Sequence, residues 1–276
     1  GAYRHLKGTC MEYRSKQEKV GALRRLRRYV NGFGRARQCC VCGRSFFRFS
    51  RFRGGWKSFS PYLNNVKWTG SDFDNFWCPF CRSHDRERHL MLYFDRLGIW
   101  EKLAGGTVLH LAREKHLSAR IEACRPSRYV RGDLFPSREG VERVDVTQIP
   151  YAAASFDWVI CNHVLEHVPD DARALRELWR VLRPGGSAIL QTPFASGLDK
   201  SLEDPEIATD EKRIEFYGQE DHVRLYGTDL FDRIRAAGFQ LTLLTHAECL
   251  PAIDARRYGV NSNEPLFLCV KPSSEV

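Results

Sequence analysis

Two Cys-x-x-Cys pairs are the most specific chemical signal in the chain: Cys39 with Cys42, and Cys78 with Cys81. Two thiolates at this spacing on a tight turn face a single ion, and two such turns complete a tetrahedron around Zn2+. Gly43 after the first pair and Pro79 inside the second suit those turns. Four thiolates leave no open coordination position, so the expected ion holds the fold and does no chemistry. Cys40 competes with Cys39 for the first position, although only Cys39 stands two residues from Cys42. His84 and His89 follow closely and are read as ordinary polar residues rather than ligands.

A second group of chemistry-bearing side chains lies further on. Histidine is the natural proton acceptor near neutral pH, and His110, His163, His167 and His222 fall near one crevice by position. His222 closes the run Gly218-Gln219-Glu220-Asp221-His222, where Asp221 or Glu220 would orient it. His163 follows Asn162 at the end of an apolar run. His222, His163 and Asp221 are the candidate catalytic residues; His167 reads as a structural residue at a helix start.

These residues need elements to hold them. Apolar runs at 107–111, 128–131, 142–146, 157–162 and 187–192 read as buried strands, and helical patterns at 115–123, 171–182 and 228–237 separate some of them. Strands at 239–245 and 265–270 finish the chain, and a helix is expected over 85–97. Such alternation predicts a parallel sheet with helices on both faces and ligands at the carboxyl ends of its strands. Arg183-Pro184-Gly185-Gly186 reads as a stop and turn feeding a strand. The irregular stretch 193–226 is a candidate lid. Between the cysteine pairs, an aromatic-rich β-hairpin is expected. The implied division is a basic helical segment over 1–36, a zinc-ribbon module over 37–85 and an α/β domain over 86–276.

The chain has 276 residues, 43% hydrophobic and 28% charged, which suits a packed core and excludes general disorder. No apolar run reaches the ~18–20 residues of a membrane span. Ten cysteines, half of them clustered, do not form a secreted disulfide framework, and a reducing cytoplasmic setting is expected. Residues 1–60 carry a net charge of +14 and the remainder −5. A basic amphipathic helix over 11–30, with Val20, Leu23, Leu26 and Val30 on one side, contributes to that front. Arg44, Arg48, Arg51, Arg53 and Lys57 alternate with Phe46, Phe47, Phe49, Phe52, Trp56 and Phe59. That pattern serves either to hold RNA or another polyanion or to build a small aromatic core with solvated arginines.

Three segments carry a family resemblance: Asp145-Val146-Thr147-Gln148-Ile149-Pro150, Ser155 to Val168 with its Leu165-Glu166-His167 run, and Ala174 to Gly186 ending in Arg-Pro-Gly-Gly. In order and spacing they resemble the type-11 group of class I S-adenosylmethionine-dependent methyltransferases. His222-Val223-Arg224-Leu225-Tyr226 and Ala236-Ala237-Gly238-Phe239 extend the likeness. It implies a Rossmann-like seven-stranded sheet with helices on both faces. By position, Asp133 would hold the ribose hydroxyls, and Asp145-Val146 would flank the adenine. Asn162-His163 would lie where the cofactor's methionine part meets the substrate. The chain departs from the family in its first loop, where acid-x-Gly-x-Gly-x-Gly is the usual pattern. Here His110-Leu111-Ala112-Arg113-Glu114-Lys115-His116 has no glycine. Ala112 is small enough, but Glu114 and His116 are bulky. Either the loop takes another path, with Glu114 serving the amino acid end of the cofactor, or binding is weakened. His110, Leu111, Ala112, Glu114, Asp133, Asp145, Val146, Asn162 and His163 are thus the candidate cofactor residues.

The resemblance implies methylation of an oxygen or nitrogen on a small molecule or saccharide unit. One rival is an RNA methyltransferase gripping RNA through the basic zinc module, although residues 191–194 read Gln-Thr-Pro-Phe and carry no Asn-Pro-Pro-Tyr signature. The other is a non-catalytic, zinc-stapled binding protein with a degenerate cofactor loop.

Overall fold

Central strands buried on both faces alternate their side chains between two helical layers. In the computed structural model, which describes residues 34–273, this alternation organises the molecule. The helix expected over 11–30 lies outside the described residues. In chain order the elements are β1 (Arg37–Gln38), β2 (Ser45–Phe46), α1 (Pro61–Asn65), β3 (Trp68–Thr69), α2 (Asp85–Leu97), α3 (Ile99–Leu103) and β4 (Thr107–Leu111). Then come α4 (Lys115–Ala123), β5 (Arg128–Asp133), β6 (Glu142–Arg143), β7 (Phe156–Cys161), α5 (Asp171–Val181), β8 (Leu182–Ile189) and β9 (Phe194–Ala195). The chain closes with α6 (Asp210–Tyr217), α7 (Leu230–Ala236), β10 (Gln240–Leu244), α8 (His246–Cys249), α9 (Ala255–Tyr258) and β11 (Leu266–Val270).

Seven strands form one sheet in the order β10-β11-β8-β7-β4-β5-β6. The contacts β6-β5-β4-β7-β8 are parallel, and β11 runs antiparallel to both of its neighbours. Leu109 and Leu111 of β4, with Val159 and Cys161 of β7, face a core shared with Leu175 and Leu178 of α5 and Ile234 of α7. Val108, Trp158 and Ile160 face the opposite layer, against Phe94 of α2, Leu103 of α3 and Leu117 and Ile121 of α4. The chain leaves β4 for β5 on one side and reaches β7 on the other. The crevice where the strand order reverses is therefore at the carboxyl ends of β4, β5 and β7.

Two strand boundaries differ from the sequence reading. The strand expected over 142–146 pairs only at Glu142 and Arg143; from Val144 onward the chain turns into the wall of the crevice. The strand expected at 187 begins at Leu182, directly out of α5, and Arg183-Pro184-Gly185-Gly186 is an irregularity within it rather than a turn before it. A Cβ on Gly186 would stand 2.8 Å from the Arg183 carbonyl oxygen, so the tight bend excludes a side chain there.

The cysteine-bearing module does not contain the expected aromatic hairpin between its knuckles. β1 and β2 instead form a short antiparallel pair around the first knuckle. Of the aromatics that follow, Phe47 stays exposed and the rest turn inward: Phe59 and Phe73 stack at 3.9 Å between ring centroids, with Phe52 and Trp56 packed beside them. The candidate lid is part of this same core. β9 pairs antiparallel with β3, and Ala195, Ile207, Tyr217 and Leu225 pack with Phe59, Leu63, Val66, Phe73 and Phe76. Residues 193–226 thus continue the module's packing rather than hanging free over the sheet.

One buried guanidinium joins the module to the end of α9. Arg88 of α2 is fully buried and donates to five carbonyl oxygens: Asn75 (2.6 Å), Phe76 (3.2 Å), Ser83 (2.7 Å), Tyr258 (3.0 Å) and Gly259 (2.6 Å). Its cation lies 4.0 Å over the Phe49 ring. Gly259 (φ 61°) presses against the same ring, where a Cβ would come within 2.3 Å. Removing the donor leaves buried carbonyls unpaired, which costs far more than exchanging solvent-exposed bonds. Arg88→Leu is expected to lower unfolding stability by about 3–5 kcal/mol, read from urea denaturation, with near-full secondary structure retained in native buffer. An unchanged midpoint would show that the carbonyls find other partners.

Candidate functional site

The four cysteine thiols converge although the two pairs are separated in the chain. Sγ of Cys39 lies 3.7 Å from that of Cys81, and Cys42 lies 3.9 Å from Cys78. All four fall within 4.8 Å of one another. A tetrahedron of thiolates at about 2.3 Å from Zn2+ has edges of about 3.8 Å, so the donor set fits that ion. Cys40 is excluded from the set: its thiol donates to the Arg88 carbonyl (3.5 Å), and burial pushes its pKa up. His84 caps α2, its Nδ1 accepting from the Glu87 amide, and His89 pairs with His246 at 2.9 Å.

At the carboxyl ends of β4, β5 and β7 two cavities adjoin, sharing Ala112, Asp133 and His163. The larger, about 590 Å³, is lined by Leu111, Leu134, Phe135, Val144, Val146 and Val164 together with Asp133, Asp145 and His167. The smaller, about 420 Å³, is polar, with Arg86, Arg113, Glu114, Lys115, Asn162 and His84 in its walls. Asp133 and Asp145 each use one carboxylate oxygen on a local turn: Oδ1 of Asp133 accepts from the Phe135 amide, and Oδ1 of Asp145 from the Thr147 amide and hydroxyl. Leu134 and Phe135 were not singled out from sequence. They follow Asp133 out of β5, and the Phe135 ring is 78% exposed at the cavity.

The glycine-free loop keeps the hollow open by taking another path. Ala112 adopts φ 46°, the left-handed conformation that the missing glycine would favour, with its amide bonded to the Gly132 carbonyl (2.9 Å). Glu114 bends beneath the loop: Nε2 of His110 donates to its Oε2 (2.7 Å), and Nδ2 of Asn162 to its Oε1 (3.1 Å). Burial alone would raise the pKa of this carboxyl. The His110 bond and charge outweigh it and hold the group down at about 2. His116 points away, with Nε2 3.0 Å from the Cys81 carbonyl. His110 itself is fully buried and lines neither cavity, so its role is to hold Glu114 rather than to touch a ligand.

The candidate base His222 is also placed otherwise than expected. It is 1% exposed and lines neither cavity. Its Nδ1 donates to the Tyr217 carbonyl (2.8 Å). Asp221 faces His167 instead (3.3 Å), and Glu220 is held by Arg53 from the cysteine module (2.6 Å). His163, by contrast, borders both cavities, with the left-handed backbone φ of 54°. Its ring nitrogens make no hydrogen bond among the described residues and lie 3.4 Å from Glu166 and 4.0 Å from Glu264. Burial lowers its pKa to about 4, so the ring is neutral at physiological pH.

Sequence reasoning missed the acids and base around His163: Asp85, Arg86, Glu166 and Glu264. Glu166 stands three residues on from His163, in the Leu165-Glu166-His167 run, but no local motif marks Asp85, Arg86 or Glu264, which join this group only in the folded chain. Glu264 is wholly buried; desolvation first, then the Asp85 charge, push its pKa to about 8, against 4.5 for the ordinary group. The folded state therefore holds a proton that the unfolded chain has released, and stability falls as pH rises through 8. The buried histidines, with lowered values, are neutral above pH 6.5 and do not oppose this. Between about pH 6.5 and 8.5 the wild type should lose about 1–2 kcal/mol more than Glu264→Gln, measured by urea denaturation at each pH. Parallel profiles would refute the raised value.

With the geometry described, similarity to known proteins becomes informative. Residues 104–190 match the family described as "Methyltransferase domain". The chain is 32% identical over 140 residues to a probable S-adenosylmethionine-dependent methyltransferase of Mycolicibacterium smegmatis, covering 48% of this chain and 46% of that protein. It is 26% identical over 116 residues to norajmaline N-methyltransferase of Rauvolfia serpentina, covering 40% of this chain and 39% of that one. The chain thus spans less than half the length of these relatives. Among solved structures, an S-adenosylmethionine-dependent methyltransferase from Mesorhizobium loti aligns with a TM-score of 0.44 at 19% identity, over 64% of this chain and 94% of its own. The matched residues run from the end of α3 through β8 and contain the crevice of β4, β5 and β7, so this segment carries the chain's likeness to methyltransferase domains.

Proposed function

We propose that the protein is an S-adenosylmethionine-dependent methyltransferase with a structural Zn2+ held by Cys39, Cys42, Cys78 and Cys81, and that its acceptor is a small molecule or saccharide unit. The observation that carries the reading is the open hollow beside Ala112, kept clear by the Glu114–His110 pair despite the absence of glycine. Its two parts differ as the two ends of the cofactor do. The larger has apolar walls for a flat ring, with Asp133 and Asp145 as acceptors for hydroxyl and amino groups. The smaller has Arg86, Arg113 and Lys115 for a carboxylate and Glu114 for an ammonium group. A relative acting on the small molecule norajmaline supports the acceptor class.

The cofactor, when bound, supplies a methyl group on a sulfonium for in-line displacement. The protein's part is positioning and, for a hydroxyl acceptor, removal of one proton. The reading of His163 as the acceptor of that proton is supported by its neutral ring and its position bordering both cavities. Glu166 and Glu264 flank its two nitrogens.

Isothermal calorimetry with S-adenosylmethionine and its demethylated product tests the reading. Binding is expected, and Asp133→Ala should weaken it about 10–100-fold through loss of charge-assisted hydrogen bonds. A folded, zinc-loaded protein that binds neither compound would remove the enzyme reading. For the metal, release by a chelator should yield one Zn2+ per chain. Cys78→Ser should lose the ion and lower the thermal midpoint by on the order of 10 °C; a metal-free wild type of equal stability would refute a structural ion.

A further inference from the structure

Beside the crevice three ligand-bearing side chains meet that the cofactor reading does not use. Glu166 and His222 are each 1% exposed, and Oε1 of Glu166 and Nε2 of His222 make no hydrogen bond among the described residues. Ligand atoms of Glu166, His167 and His222 all lie within 4.8 Å of one another, and the two imidazole rings are 4.7 Å apart. Uncompensated polar atoms in an interior cost desolvation free energy, and such groups persist where something completes them.

We propose that Glu166, His167 and His222 form a binding site for a divalent cation, separate from the four cysteines. The other polar atoms of these side chains are already tied down in the manner of metal ligands. Nδ1–H of His222 donates to the Tyr217 carbonyl (2.8 Å), which fixes the tautomer with a lone pair on Nε2. The Thr192 hydroxyl donates to Oε2 of Glu166 (2.6 Å), while Oε1, 3.4 Å from Nδ1 of His163, makes no hydrogen bond among the described residues. Asp221 holds Nδ1 of His167 through its carbonyl (3.2 Å) and its carboxylate (3.3 Å). Two imidazoles and one carboxylate favour Mn2+, Fe2+, Co2+, Ni2+ or Zn2+ over Mg2+ and Ca2+, which prefer oxygen alone. Three protein ligands leave coordination positions open, and His167 and Asp221 line the same cavity as Asp133 and Asp145. Those positions suit oxygen atoms of a polar acceptor. That use rests on the methyltransferase reading; the cation site itself does not.

The probe is Co2+, titrated into the zinc-loaded full chain without cofactor and followed by calorimetry and visible absorption. One Co2+ per chain is expected beyond the retained Zn2+, with the weak bands of nitrogen and oxygen ligation and no thiolate-to-cobalt charge transfer. His167→Gln, at a half-buried position, should abolish that binding. Thr192→Val, which touches no ion, should weaken it about 10–100-fold as loss of an orienting partner does. Both variants should retain the wild-type zinc content, which shows that they are folded. Absence of Co2+ binding to the folded wild type, binding indifferent to both substitutions, or uptake only with a thiolate charge-transfer band would overturn the site. Failure of the methyltransferase reading shows separately, as absent binding of S-adenosylmethionine.

Discussion

The Arg88 guanidinium is the contact on which the arrangement of this protein depends. It saturates carbonyls from three separate places: the turn before the second knuckle, the turn after it, and the end of α9. A buried cation with planar, fixed donors holds such a set in one geometry, which a lysine's single ammonium would not. Because α2 also packs its apolar side on the sheet, the cysteine module is aligned with the crevice rather than tethered beside it. His84 and Arg86, from the start of that helix, thereby reach the polar cavity.

The first loop shows how a departure from family pattern is absorbed. Glycines in such a loop serve backbone freedom and close approach. Ala112 supplies the backbone conformation at a modest cost in strain, since a single Cβ is the least hindered after none. The larger side chains are drawn off to either side: Glu114 inward to His110 and Asn162, His116 outward to the second knuckle. A buried carboxylate is tolerable here only because it is paired and hydrogen-bonded at both oxygens. The same pair ties Asn162, at the end of β7, to the start of α4, so the two walls of the crevice are set by one network.

Among the described residues, the buried carboxylates and imidazoles without hydrogen-bond partners are concentrated rather than scattered. His163, Glu166, His222 and Glu264, together with Asp85, border or underlie the crevice. The other buried side-chain atoms without a hydrogen bond among the described residues are arginine Nε and tryptophan Nε1 groups, such as those of Trp68, Trp179 and Arg224. A fold that gathers open acids and imidazoles in one region is organised for ligands there. The irregular segment 193–226 contributes His222 and Asp221 to that region while its own core is built with the aromatic module.

The local pattern along the chain determined most of the architecture. Strand and helix positions from Thr107 onward follow from apolar runs and their period, since backbone hydrogen bonding and side-chain alternation are short-range properties. Ala112, Asp133, Asp145, Val146, Asn162 and His163 were singled out by carrying the family resemblance onto the ends of recognisable strands, and all six line the crevice. The cysteine spacing likewise foretold the convergence of four thiols. Only the tertiary structure decided that His222 faces Glu166 and His167 rather than the cavity, that His110 serves Glu114, and that most of the module's aromatics turn inward. It also brought Arg86 and Glu264 to His163. The reason is one of range: apart from the His110–Glu114 pair, these contacts join segments far apart in the chain, and their partners are chosen by which surfaces the packed core leaves adjacent, a quantity that no local stretch of sequence encodes.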